Sequence, residues 1–457
     1  MYLMKQDSLS LNAQNKKTEG DINFTPARAA WMDSQISEET KEILERDARY
    51  FLHQSMSTPC LDVLQSCEGP YIENISGKKY LDFHGNNVHQ VGYANPELIE
   101  KIIEQLKVLP FSPRRYTNIP AIDFAEKLAS LMPSDLNRVL LTPNGSSSIG
   151  IALKLARAVT GKFKVVSFWD SFHGASLDAI SVGGEAVFRE SMGPLMPGVE
   201  RIPPPVTYRG IFEDNEDKCL EYLEYVFSKE GDIGAFIAET IRNTDVQLPS
   251  KTFWKKARQL CNKYGVLLIL DEIPIALGRT GKMFVFEHYD IEPDILCIGK
   301  GLGGGIFPQA AIITRDEYNK FGDISLGHYT HEKSPLGAVA GLGTIAFLEN
   351  EKILDKVKED EEYLRTSLAA LQLKYPLIGD VRGMGLLWGV ELVLDKKTKE
   401  KAINEAEVVM YECLKRGLSY KVSAGNVLQL SPALTISRKE LDSALHILDE
   451  SLAIVHS

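Results

Sequence analysis

Between residues 138 and 314 the sequence carries six short apolar runs separated by helical or polar stretches. They are RVLLT at 138–142, KVVSF at 164–168, AFIAE at 235–239, VLLILDE at 266–272, DILCIG at 294–299 and AAIIT at 310–314. VLLIL is apolar at consecutive positions rather than alternate ones, as strands buried on both faces are. This punctuation predicts βαβ units and a mostly parallel sheet covered by helices on both sides. Ligands of such sheets bind beyond the carboxyl ends of the strands, so the polar residues that follow each run are the ones to examine.

Outside this region the pattern changes. A helical stretch around 335–371 precedes two strand-like segments, VRGMGLLWGVEL at 381–392 and VLQLSPALTI at 427–436, separated by a charged helix. That order predicts a small α+β unit. Near the amino end, YIENISGKKYLDF at 71–83 reads as paired strands around a Ser-Gly turn.

With 457 residues, 44% of them apolar, the chain has material for two or three structural units. The net charge of −11 is spread along the sequence with no basic block to neutralise a phosphate backbone, which argues against nucleic acid as a partner. No run reaches membrane-spanning length, and residues 1–30 lack the apolar core of a signal peptide. The six cysteines show no CxxC spacing, so reduced thiols and a cytoplasmic setting are expected, with Cys297 in the core.

Three features bear on chemistry. Asp271 and Glu272 end the VLLIL run, and Lys300 follows the next run in the glycine-rich segment IGKGLGGG. Gly145 and Ser146, in NGSSS, open the helix IGIALKLARAVTG, whose first N–H groups can face an anion. A lysine to anchor the cofactor, a carboxylate for its ring nitrogen and a cradle for its phosphate are what pyridoxal 5'-phosphate requires. Each feature alone also fits a helix cap or a solvated turn; the conjunction points to the cofactor.

The span LILDEI…GRTGKMFVFEHYDIEPDILCIGKGLGGGIFP, supported by VGYANP at 91–96, ALKLARAVTG at 152–161, SFHGAS at 171–176, IAE at 237–239 and VRGMGLLWGVEL, resembles the class III aminotransferases. The resemblance covers the chain from about residue 50. It implies the fold-type-I architecture of pyridoxal phosphate enzymes, with a seven-stranded, mainly parallel sheet in a large α/β domain and a small α+β domain built from both chain ends. The expected boundaries are a flexible arm at 1–35, the amino-terminal part of the small domain at 36–110, the large domain at 111–345 and the rest of the small domain at 346–457. The resemblance also assigns Lys300 to the covalent link, Asp271 to the ring nitrogen, Phe172 to stacking on the ring, and Gly145, Ser146 and Thr330 to the phosphate. Its matching segments bring His173 and Glu239 to the cofactor. Thr330 would come from a neighbouring subunit, which implies a homodimer.

The sequence departs from the family around the substrate. Gln429, in LQLSPAL, stands where keto-acid-binding members carry an arginine, and a neutral amide cannot replace a bidentate guanidinium–carboxylate pair. Pro274 replaces a usual glutamine, and GSSSIG replaces the common GSEANE. The segment GNNVHQVGY, with Asn87, is similar to that of class III members that are lyases. Arg114 and Arg115, in FSPRRYTN, and Arg242, in AETIRNT, are candidates for a phosphonate or phosphate group. The competing reading leaves the first two on a solvated loop and pairs Arg242 with Glu239. His89 and His173 are given no catalytic role.

The function that the resemblance to the lyase members implies is elimination of ammonia from a small aminoethylphosphonate, with (R)-1-hydroxy-2-aminoethylphosphonate giving phosphonoacetaldehyde. The alternative is an ω-aminotransferase passing an amino group from a primary amine to pyruvate. A cofactor-binding regulator without catalysis is a third reading, which Lys300 and Asp271 together oppose.

Overall fold

The computed structural model describes residues 25–54 and 60–456. Sixteen strands are described. In chain order, β1 is Leu64–Glu68, β2 Tyr71–Asn74, β3 Lys79–Asp82, β4 Leu136–Thr142, β5 Lys164–Phe168, β6 Val199–Ile202, β7 Ile233–Glu239 and β8 Leu267–Asp271. Then follow β9 Ile295–Ile298, β10 Ala310–Arg315, β11 Ile378–Met384, β12 Leu387–Asp395, β13 Glu400–Lys401, β14 Leu418–Ser419, β15 Lys421–Ser423 and β16 Val427–Leu430.

Seven strands form one sheet in the order β4-β10-β9-β8-β7-β5-β6. β10 runs antiparallel to both its neighbours, and β5 to β9 pair in parallel, so every strand except β10 points the same way. Each residue of β7, β8 and β9 is buried, as the unbroken apolar runs require of strands covered on both faces. Cys297 lies in that core. Fully burying each Leu or Ile there contributes about 1.5–3 kcal/mol before the entropy of ordering the chain is charged against it.

The helices supply their own boundaries. Asn144 caps Gly145–Thr160 by accepting the Ser147 N–H, and Gly161, left-handed, ends it. Ser250 and Gly265 do the same for Lys251–Tyr264. The stretch around 335–371 is two helices, Pro335–Asn350 and Ile353–Lys374, because Lys352 adopts a φ of +51° between them.

Both chain ends build the four-stranded sheet β1-β2-β3-β14, and the carboxyl-terminal part alone builds the five-stranded sheet β11-β12-β16-β15 with β13 on β12. β2 and β3 form the expected hairpin, and β14 adds to β3 in parallel, joining residues some 340 positions apart in one sheet. VRGMGLLWGVEL is the hairpin β11–β12, turning where Gly385 (φ +59°) lies against the Arg279 backbone. The wholly buried Arg279 donates to the carbonyls of Leu386 and Pro432 and so ties this hairpin to the residues after β16.

The amino-terminal arm expected to be flexible through residue 35 ends in an ordered helix. Pro26–Gln35 is helical from its Thr25 cap, and Trp31 is buried against the Ile403–Lys415 helix through Tyr411. Residues 1–24 of that arm lie outside the described residues.

Candidate active site

The five segments singled out in the sequence converge on the carboxyl edge of the large sheet. Gly145 and Ser146 follow β4, Phe172 and His173 follow β5, Glu239 ends β7, Asp271 ends β8 and Lys300 follows β9. Because these strands share one direction, their ends share one edge. There they line a cavity of about 400 Å³, together with Asn87.

Asp271 is buried, with Oδ2 accepting from His173 Nδ1 at 2.8 Å and Oδ1 accepting from the Ile273 N–H at 3.0 Å. Glu239 is buried beside it, bound to the N–H groups of Phe172 and Asn243. Burial pushes the Glu239 carboxyl up to about 7; the His173 side pulls against that and Asp271 adds to it. Glu272, next to Asp271, turns the other way and receives Thr240, Val285 and Phe286; burial raises it to about 7 as well.

Lys300 adopts a φ of +48°, a conformation costly for a residue with a Cβ and one that persists where function fixes it. Gly301 follows because Gln90 packs so closely that a Cβ would come within 1.9 Å of its Oε1. The Asn-Asn-Val segment is similarly constrained: Asn86 and Asn87 have φ of +46° and +57°. Asn87 Nδ2 donates to Asn243 Oδ1 at 2.7 Å, and Asn87 Oδ1 accepts from Ser431 at 2.7 Å. Gln429 Nε2 also donates to the Asn243 carbonyl at 2.8 Å, so neutral amides form this wall.

Four residues named from the sequence do not line this cavity in the single chain. Thr330 lies in a turn before the helix Pro335–Asn350, and Arg114 is within 3.9 Å of Glu332. Arg115 is exposed. Arg242 makes a bidentate pair with Asp245, not Glu239, and lines an adjoining cavity of about 250 Å³. The sequence reading missed His84, Asn243, Thr244 and Lys421, which do line the lysine-bearing cavity. Lys421, on β15, faces Gln429 across an antiparallel pair, a relation that only the strand register reveals.

The family model for class-III aminotransferases matches residues 53–452. The chain belongs to the class III aminotransferase family. It is 57% identical to the (R)-1-hydroxy-2-aminoethylphosphonate ammonia-lyase of Vibrio splendidus (strain 12B01), with 97% of each chain covered. It is 32% identical to the leucine/methionine racemase of Thermococcus litoralis, covering 91% of this chain and 96% of that one. Among solved structures, an (S)-enantioselective omega-transaminase from Thermomicrobium roseum superposes with a TM-score of 0.85 at 27% identity, over 91% of this chain and 99% of that one.

The cofactor of this class III enzyme is pyridoxal 5'-phosphate. The residues present fit it. The first N–H groups of the Gly145–Thr160 helix precede any intrahelical bond, and the residues that open it, Gly145 and Ser146, line the cavity. Beside them Gly174 approaches Ser146 so closely that a Cβ would lie 2.2 Å from Oγ. His173 Nε2, buried, has no hydrogen-bond partner among the described residues, and His173 lines the cavity, so a polar group held there has a ring nitrogen to bond.

Proposed function

We propose that this chain is a pyridoxal phosphate-dependent ammonia-lyase that converts (R)-1-hydroxy-2-aminoethylphosphonate to phosphonoacetaldehyde and ammonia. The observation that carries the reading is the 57% identity to the Vibrio splendidus lyase over 97% of both chains. Gln429, standing where keto-acid-binding members carry an arginine and bound through its amide to Asn243, agrees with it, since an amide offers no guanidinium fork to a keto-acid carboxylate.

When bound, pyridoxal phosphate supplies an electron sink for a bond broken beside the substrate nitrogen. Asp271 would hold the ring nitrogen in its charged form, with His173 and the Ile273 N–H fixing the carboxylate. Gly145 and Ser146 would receive the phosphate, and Phe172 would cover one face of the ring. Lys300 would anchor the cofactor and then take the proton from the amine-bearing carbon. The hydroxyl on the adjacent carbon leaves as water with that proton, and hydrolysis of the released enamine gives the aldehyde and ammonia. One water is lost and one consumed, so no co-substrate enters the balance.

Assembly as a homodimer is part of the same reading. The helix Pro96–Val108 and the segment after it expose Ile103, Leu106, Val108 and Phe111, and the helix Ile119–Ser130 exposes Ile119 and Ile122. Apolar side chains grouped in this way mark an interaction surface. Thr330 and the arginines Arg114 and Arg115 would then act across it, and phosphonate catabolism in the cytoplasm is the setting consistent with six unbridged cysteines. No described helix is long and apolar enough to cross a membrane.

The test follows ³¹P signals of hydroxylated aminoethylphosphonate, aminoethylphosphonate and phosphoethanolamine incubated with enzyme. The reading expects the phosphonoacetaldehyde signal from the hydroxylated compound alone. Inorganic phosphate from phosphoethanolamine, or turnover only when pyruvate is added, would replace it with a phospho-lyase or an aminotransferase.

A further inference from the structure

We propose that Lys421 is the residue that recognises the anionic head of the substrate, selecting short amines that end in a phosphonate over neutral ones. This rests on the proposed aminophosphonate substrate and names the group that binds its charge.

Three observations lead there. First, the charges that line the cavity are few. Among the described residues around it, Asp271 and Glu239 are acidic, and the only lysine or arginine besides Lys300 is Lys421. His173 is engaged with Asp271, and burial, followed by the charge of Lys421, holds His84 down at about 3, so the imidazole there is neutral. With Lys300 committed to the amine end, Lys421 is the remaining lysine or arginine that this chain itself presents to a phosphonate in this space.

Second, the fold separates the two anion sites. The phosphate cradle at Gly145 and Ser146 comes from the carboxyl edge of the large sheet, whereas Lys421 comes from β15 in the five-stranded sheet. The cofactor phosphate and the substrate phosphonate therefore need not compete for one cation. Lys300 and Lys421 line one cavity of about 400 Å³, with His84 also in its wall, which suits a small substrate carrying an amine at one end and an acid at the other.

Third, the strand register fixes the orientation. Lys421 and Gln429 are direct partners in the antiparallel pair β15–β16, and such partners project from the same face with Cβ atoms about 5 Å apart. Gln429 is tied to Asn243, which itself lines the cavity, so the face that carries Gln429 is the face toward the substrate. Arg242, the nearest guanidinium named from the sequence, is held by Asp245 and lines the adjoining cavity.

The test compares holoenzyme of wild type, Lys421→Met and Lys421→Arg for binding of 2-aminoethylphosphonate, which lacks the leaving hydroxyl, and of n-propylamine, which lacks the acid. Affinity is read from the visible spectrum of the bound cofactor and from calorimetry. Loss of a charge-assisted contact should weaken 2-aminoethylphosphonate by about 10- to 100-fold in K421M, with propylamine unchanged and most of the affinity kept in K421R. In turnover, K421M should raise KM far more than it lowers kcat. Equal 2-aminoethylphosphonate affinity in wild type and K421M overturns the proposal, as does a parallel loss for propylamine. A wild type that binds the phosphonate through Lys421 yet releases no ammonia from the hydroxylated compound would refute the lyase reading and leave this assignment standing.

Discussion

His173 Nδ1 lies 2.8 Å from Asp271 Oδ2 in a contact sealed from solvent on both sides. An acid in such a place needs its acceptor oxygens, because the second oxygen already takes the Ile273 N–H. Asp271→Asn converts one of the two acceptors into a donor and removes the charge. We expect the variant to fold and to lose at least about 100-fold in turnover, the scale of a preorganised electrostatic contact. Steady-state kinetics on the cofactor-saturated variant decide the matter, and a loss under threefold would remove Asp271 from the role proposed for it.

Lys300 combines a reactive amine with a strained backbone. Replacing it with Ala should abolish the absorption band of the lysine-bound cofactor and all turnover while leaving the fold intact. Lys300→Gly should do the same and, in addition, make the cofactor-free protein more stable than the Ala variant by roughly 1 kcal/mol, since glycine accepts the φ of +48° without strain. Chemical denaturation of the two variants reads the difference; equal midpoints would mean that this conformation stores no strain.

Gly174 has a φ of +121° and nearly touches Ser146, whose Oγ accepts the Ala175 N–H. A methyl group at 174 must push Ser146 out of the phosphate end of the cavity. Gly174→Ala should therefore retain pyridoxal phosphate at least about 10-fold more weakly, as expected when a contact to a charged group is lost. Equilibrium dialysis against free cofactor measures this, and unchanged retention would place the phosphate elsewhere.

The raised carboxyl of Glu239 has a pH signature. Its pKa goes from an ordinary 4.5 to about 7 in the folded chain, chiefly through burial. The folded state thus holds a proton that the unfolded state gives up. The stabilisation is full below pH 4.5 and is lost as pH rises through 7, by roughly 3 kcal/mol at 1.4 kcal/mol per pH unit. Glu272 contributes with the same sign. Glu239→Gln should flatten part of this decline in the cofactor-free protein. Parallel stability curves for the two proteins between pH 4.5 and 7 would show that Glu239 titrates normally.

The large sheet and its chemical edge were legible because both follow from local pattern. Unbroken apolar runs mark strands buried on two faces, and the residues after them lie at the ligand edge, which is where Asp271 and Lys300 stand. β6, VERI, escaped because it is a half-buried edge strand with two charged residues among four. Nothing in the sequence around Lys352 marks a helix break, for it contains neither Gly nor Pro. Arg242 has acidic residues three positions away on either side, and spacing alone could not tell that Asp245, not Glu239, would hold it. Lys421 was invisible for a stronger reason: its place in the cavity depends on the pairing of β15 with β16 and on their docking against the loop that carries Asn243.

The central claim is that this class III enzyme eliminates rather than transfers an amino group. It is tested most directly by incubating the purified, pyridoxal phosphate-loaded enzyme with (R)-1-hydroxy-2-aminoethylphosphonate in the absence of any keto acid and measuring free ammonia against aldehyde. The account predicts sustained turnover with one ammonia per aldehyde and no accumulation of aminated cofactor. Product limited to one equivalent per active site, with turnover restored by pyruvate and matched by alanine, would contradict it.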